Sequence, residues 1–158
     1  MPLTTCLTLS GDNYWAVVNS VWSLLYEGLS VPSRLVLVTN ARHKDVARKA
    51  AETLQLLLSF YGVASVPDII VVSEVDLRQC HDKMVEIMRQ AKAQGEVALN
   101  ITPARKSLAS VAMVAAWETG VDRIHYVYLK DLKEADCPYP FIAKDLHELL
   151  DLKELRPK

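Results

Sequence analysis

An α/β open sandwich with a mostly parallel sheet of five or six strands is the fold class that this sequence predicts, on three observations. Short runs rich in Val, Ile and Leu alternate with longer amphipathic stretches along the chain, the rhythm of strand and helix. Four of the amphipathic stretches are followed by a glycine (Gly28, Gly62, Gly95 and Gly120), where a helix end takes a left-handed residue. The chain has 158 residues and is 51% hydrophobic, the length of one domain with enough apolar side chains for a core.

The runs Thr5–Leu9, Arg34–Val38, Asp68–Val72, Val97–Ile101 and Arg123–Leu129 read as strands. They are apolar and rich in Val, Ile and Leu, as strands covered on both faces are. Helices are predicted over Tyr14–Glu27, Lys44–Tyr61, Asp76–Gln94 and Lys106–Thr119. Trp15 and Trp22 fall on the first of these at core-compatible positions, and Ala109, Ala112, Ala115 and Ala116 let the last approach a neighbour closely. Right-handed crossovers between parallel strands then give a Rossmann-like arrangement with helices on both faces. After the fifth strand, Pro138 and Pro140 interrupt a surface connection, and a short helical piece is expected around Leu146–Leu150. Residues 1–158 are thus expected to form a single domain with no effector domain behind it.

Charge and motif content narrow the function. Eighteen Lys and Arg against nineteen Asp and Glu leave a net charge of −1, so no global field recruits duplex nucleic acid or an anionic membrane. Any polyanion must be held by a local cluster. No apolar run approaches the ~18 residues of a membrane span, and the N-terminus carries no basic stretch followed by a long apolar one, so a soluble, cytoplasmic protein is expected. The three cysteines and four histidines lack ligand spacing, so no metal is expected. Neither GxGxxG nor GxxxxGK[ST] occurs, which disfavours a dinucleotide dehydrogenase and a P-loop enzyme.

In a doubly wound fold, ligands sit beyond the carboxyl ends of the strands. Those ends are the loops Ser10–Asn13, Thr39–Lys44, Ser73–Asp76, Thr102–Ser107 and Lys130–Asp131. The most informative stretch is Asn100-Ile-Thr-Pro-Ala-Arg-Lys-Ser, where the fourth strand feeds its helix. A helix N-terminus is already partly positive, so Arg105 and Lys106 there disfavour the helix and favour an anion beside it. Arginine offers a planar fork and lysine a point charge, a useful pair for a phosphodiester. In the first loop Gly11 permits a tight turn, and Ser10, Asp12 or Asn13 can cap the following helix. In the second loop Arg42 and His43 stand beside Lys44.

The Ser10-Gly11 turn, Leu24-Leu-Tyr-Glu-Gly28, Val36-Leu-Val-Thr39, Asn100-Ile-Thr-Pro-Ala-Arg-Lys106 and the closing Leu146–Leu155 stretch together resemble the CRISPR-associated Rossmann fold (CARF) family. Pro103 and Ala104 stand where that family often has two glycines, and the first turn departs from its common Gly-Thr/Ser-Pro pattern. The resemblance implies binding of cyclic oligoadenylate, cyclic tetra-adenylate in the first instance, during type III CRISPR antiviral responses. A chain without an effector domain resembles the ring nucleases, which cleave this messenger and switch the response off. The alternative is a non-catalytic sensor or regulatory module. The chemistry so implied is attack of a ribose 2′-hydroxyl on its own 3′-phosphodiester, without metal or cofactor, giving a 2′,3′-cyclic phosphate. Arg105 and Lys106 would stabilise the developing charge, and Ser10 would orient the 2′-hydroxyl or a phosphate oxygen. Gly11, Asp12, Asn13, Thr39, Asn40, Arg42, Thr102 and Ser107 are candidate ligand contacts by loop position. A ligand with rotational symmetry implies a two-fold homodimer with one shared cleft.

Overall fold

The computed structural model describes residues 3–155, leaving the first two and last three residues of the expected domain outside the described part. Six strands form one sheet: β1 (Leu3–Leu9), β2 (Arg34–Thr39), β3 (Asp68–Val71), β4 (Glu96–Asn100), β5 (Arg123–Leu129) and β6 (His147–Asp151). Four helices connect the first five: α1 (Tyr14–Tyr26), α2 (Lys44–Phe60), α3 (Leu77–Lys92) and α4 (Lys106–Thr119). The sheet order is β3-β2-β1-β4-β5-β6, with β1 to β5 parallel. The predicted strands and helices agree with these elements to within two residues at every end. Gly120 shows why glycine closes α4: it sits at φ 69° and ψ 35°, a left-handed cap that a Cβ would strain.

The central strands are mostly apolar, with buried polar exceptions such as Thr5, Thr8 and Asn100, because each face of the sheet is covered. Leu7, Leu9, Val36, Val38 and Leu99 pack under Met84 and Met88 of α3 and Ala112 and Ala116 of α4. On the opposite face Cys6, Leu35, Leu37 and Ala98 pack against Val17, Val21 and Leu24 of α1 and Leu54 and Leu58 of α2. The neighbours that the alanines of α4 admit are therefore α3 and the sheet. Trp15 and Trp22 are half-buried against the α1 and α2 core. Among the described residues no helix is long and apolar enough to cross a membrane.

The C-terminal segment corrects one expectation. Residues 147–151 form a strand, not a helical piece, pairing antiparallel with β5 so that Leu149 faces Val127 and Leu150 faces Tyr126. An apolar run of this length has no decisive period, and the open edge of β5, with unpaired N–H and C=O groups, settles it as a strand. The connection before it lies deeper than a surface loop. Asn19 of α1 staples it, donating from Nδ2 to the Cys137 carbonyl at 2.8 Å and accepting the Tyr139 N–H at 2.8 Å. Tyr139 is consequently buried, its hydroxyl donating to Glu27 at 2.9 Å. Burial, followed by the bond and the charge of Glu27, pushes that phenol well above the usual tyrosine range.

Candidate functional site

Strand β1 continues to β2 on one side, while β4 returns to the other side of β1 and continues to β5. The chain reverses its winding direction between β1 and β4, which opens a crevice at the carboxyl ends of the strands. Beside it lies a cleft of about 500 Å³ between the loops that follow β2, β3 and β4. Asn40, Arg42, Val72, Glu74, Arg105 and Ser107 line it. This volume lies within the ~300–1,000 Å³ typical of small-ligand sites.

The loop from β4 to α4 is held by a buried amide. Asn100 donates from Nδ2 to the Ser20 carbonyl of α1 at 2.7 Å and accepts the Thr102 hydroxyl at 2.9 Å. The Thr102 oxygen in turn accepts the Val127 N–H of β5 at 2.9 Å. Thr102, a candidate ligand contact by position, is thus turned into the fold as part of a clamp from α1 to β5. Downstream of the clamp, Arg105 takes extended geometry (φ −63°, ψ 156°) as the N-cap of α4 and makes no side-chain capping bond. Lys106 is the first residue of the helix, and no acidic residue stands in the first turn. Arg42, Arg105 and Lys106 are exposed, and none of their side chains has an ion-pair or hydrogen-bond partner among the described residues. Free cations at a helix N-terminus suit an anion with several oxygens.

The first loop is enclosed. A Cβ on Gly11 would lie well inside 3.0 Å of the Pro103 carbonyl oxygen, so glycine is required there by the close approach of two loops. Pro103, at one of the positions where the resembled family often has glycine, is the residue that Gly11 accommodates. Ser10 is fully buried; its N–H donates to Val38 at 2.7 Å, and its hydroxyl is enclosed without a partner. Thr39, equally buried, donates to the Ser10 carbonyl at 3.4 Å. Neither Ser10 nor Thr39 lines the cleft. Asn13 caps α1 by accepting the Ala16 N–H at 3.0 Å. With Asp12, Trp15 and Asp136, Asn13 lines a separate hollow of about 370 Å³.

Four of the expected site residues therefore meet in one cleft: Asn40, Arg42, Arg105 and Ser107. Lys106 is adjacent to them in sequence but does not line it. Asn40 also caps the turn Ala41–His43, accepting the His43 N–H at 2.9 Å. His43 is buried there, with Nε2 unpartnered. The cleft-lining residues outside the expected set are Ala41, in the loop after β2, and Val72, Ser73, Glu74 and Val75, beyond the end of β3. Their signal was the position of the Thr39–Lys44 and Ser73–Asp76 loops at the carboxyl ends of strands. Among the described residues no group of three or more His, Cys, Asp or Glu side chains is placed to hold a metal ion.

The sequence matches no protein-family model and no curated protein. Solved structures do match. Can2 from Sulfobacillus thermosulfidooxidans, in complex with cyclic tetra-adenylate, aligns with TM-score 0.61 at 18% identity over 83% of this chain. Enterococcus italicus Csm6, bound to cyclic hexa-2′-fluoro-hexa-dAMP, aligns with TM-score 0.62 at 14% identity over 85% of it. This chain has their fold. A type III CRISPR defence DNA nuclease activated by cyclic oligoadenylate aligns with TM-score 0.55 at 18% identity over 82% of the chain. The chain spans 33%, 37% and 19% of those three proteins respectively. The Rossmann-like fold that the CARF resemblance implies is thereby shown.

Proposed function

We propose that this chain is a CARF-type domain that binds cyclic oligoadenylate, cyclic tetra-adenylate first among them, in the cleft between the loops after β2, β3 and β4. The observation that carries this reading is that Arg42 and Arg105, both without partners, line one cleft at the N-terminus of α4. A guanidinium presents a fork of donors matched to phosphate oxygens. Two proteins that share the fold support the same ligand class, since Can2 is in complex with cyclic tetra-adenylate and Csm6 is bound to a cyclic hexanucleotide analogue. A cleft of about 500 Å³ holds part of a ring rather than the whole, so a four-membered ring would span more than one copy of the site. A two-fold homodimer supplies two, and the doubled cations make a positive groove on a protein of net charge −1.

Ring cleavage, which would switch off type III CRISPR signalling, is the activity we assign to this site. The 2′-hydroxyl gives up its proton as its oxygen bonds to the adjacent phosphorus, the bond from phosphorus to the 5′-oxygen breaks, and the 5′-oxygen takes up a proton as it leaves. The product ends in a 2′,3′-cyclic phosphate. Nucleophile and electrophile are already tethered, so alignment supplies much of the acceleration. Arg105 and Lys106 stabilise the charge that builds on the phosphoryl and leaving oxygens. Ser10, with its hydroxyl enclosed, shapes the first loop and takes no part in this scheme. The alternative is a sensor or regulatory module that binds the ring and leaves it intact.

Incubating the purified protein with labelled cyclic tetra-adenylate in EDTA separates the two. Linear products with 2′,3′-cyclic ends, lost in Lys106→Ala while binding persists, are the expected result. Bound, uncleaved ring identifies the module, and absence of binding refutes the site.

A further inference from the structure

Glu74 is a carboxylate in a cleft otherwise suited to an anion. It lines the same space as Arg42 and Arg105, yet no cation stands within ion-pair distance of it, and it makes no hydrogen bond among the described residues. An ionised carboxylate only accepts hydrogen bonds and repels a phosphate. Its counterpart in a bound nucleotide is therefore a donor, on either the ribose or the base.

The neighbours of Glu74 favour the base. Ala41, Val72 and Val75 give this part of the cleft an apolar lining, suited to the flat of an aromatic ring. Asn40 commits its Oδ1 to the His43 N–H at 2.9 Å, and this fixes its free Nδ2 as a donor. The cleft thus combines one acceptor and one donor with an apolar wall. Adenine presents the complement on one edge, an exocyclic amine that donates beside a ring nitrogen that accepts.

We infer that Glu74 is the residue that reads the adenine base, accepting the exocyclic amine while Asn40 Nδ2 donates to the adjacent ring nitrogen. Arg42 and Arg105 then hold the phosphates on either side. This assignment rests on the cleft being the cyclic oligoadenylate site, and it goes further by placing base recognition in the loop after β3.

The test compares cyclic tetra-adenylate with cyclic tetra-inosinate, in which each amine is replaced by a carbonyl, by calorimetric titration of wild type, Glu74→Gln and Asn40→Asp. Wild type should prefer the adenine ring by about 10-fold or more, the discrimination of a base-edge contact. Glu74→Gln, whose amide offers both a donor and an acceptor, should reduce that preference to about threefold or less. Asn40→Asp keeps the cap oxygen, loses the donor and should weaken binding of the adenine ring. Thermal melting checks that both variants are folded. An equal gain for both rings in Glu74→Gln, with the preference unchanged, would show that Glu74 acts only through its charge and would overturn the inference alone. Failure of folded wild type to bind either ring overturns the reading of the cleft together with it.

Discussion

Two charged regions of this molecule are built on opposite plans. Along the α3 and α4 flank, charges meet opposite charges: Arg89 lies 3.2 Å from Glu118, and His81 lies between Asp82 at 3.1 Å and Glu118 at 3.0 Å. At the foot of that flank Asp122 accepts Lys92 at 2.8 Å and the Val97 N–H at 2.7 Å. Burial pushes the Asp122 carboxyl up, but those bonds and the charges of Lys92 and Lys153 outweigh it and hold the carboxyl below the usual aspartate value. At the strand ends, by contrast, Arg42, Arg105 and Lys106 stand without partners, two of them where α4 begins. A cation at a helix N-terminus costs ~0.3–1 kcal/mol, so the flank stabilises the fold while the strand ends leave cations unneutralised for a ligand.

The strongest way to break this contrast is to remove the free cations. Arg105→Ala with Lys106→Ala should weaken cyclic tetra-adenylate binding by about 100-fold or more, mainly through Arg105, whose guanidinium fork can make more than one charged hydrogen bond at ~1.5–3 kcal/mol each. The same double variant should keep or slightly raise the urea midpoint, because it relieves repulsion at the start of α4. Arg89→Ala on the flank should leave binding unchanged. Titration calorimetry and urea melts measure both, and equal losses of binding in the two variants would erase the distinction.

Gly11 tests the scaffold beneath the site. Gly11→Ala pushes a methyl into the Pro103 carbonyl, which is backbone and has no rotamer by which to escape. Overpacking of this kind costs ~1–3 kcal/mol, read as a lower urea midpoint. Ligand binding should fall as well, because the displaced loop carries Arg105. A variant of wild-type stability would mean that the two loops part freely and that the enclosure of Ser10 is not maintained by this contact.

How much of this was legible in the sequence differs between the same regions. The five parallel strands were readable because burial on both faces leaves short runs rich in Val, Ile and Leu. Arg105 and Lys106 were readable because local spacing alone puts them at a strand-to-helix junction. Glu74 was legible only as a member of the Ser73–Asp76 loop at a strand's carboxyl end, and its sharing a cleft with Arg42 and Arg105 depends on β3 lying beside β2, a long-range pairing that no local pattern encodes. Ser10 and Thr39 were placed in ligand-side loops by position, but both follow central strands so closely that the sheet encloses them. The clamp by Asn100 was equally invisible, since Ser20 lies 80 residues away in the chain. β6 was misread because a short apolar run takes its form from the strand edge it meets.

The smallest effect belongs to the flank and depends on pH. The hydrogen bond with Asp82 is the main cause that raises the His81 imidazole above its ordinary value, with burial opposing and the bond and charge of Glu118 assisting. A histidine whose folded value is raised stabilises the fold fully while it is protonated in both states, and the contribution fades as pH rises through the folded value. Wild type should therefore exceed His81→Asn in urea midpoint at about pH 5.5 and lose that margin by about pH 8.5, given the usual histidine value of ~6.5. Because His81 and its partners lie at the surface, only partly covered, solvent screening keeps the margin small, and cyclic tetra-adenylate binding should be the same for both proteins at either pH. A binding difference that tracked this titration would connect the paired flank to the unpaired strand ends, and the separation of the two regions would then fail.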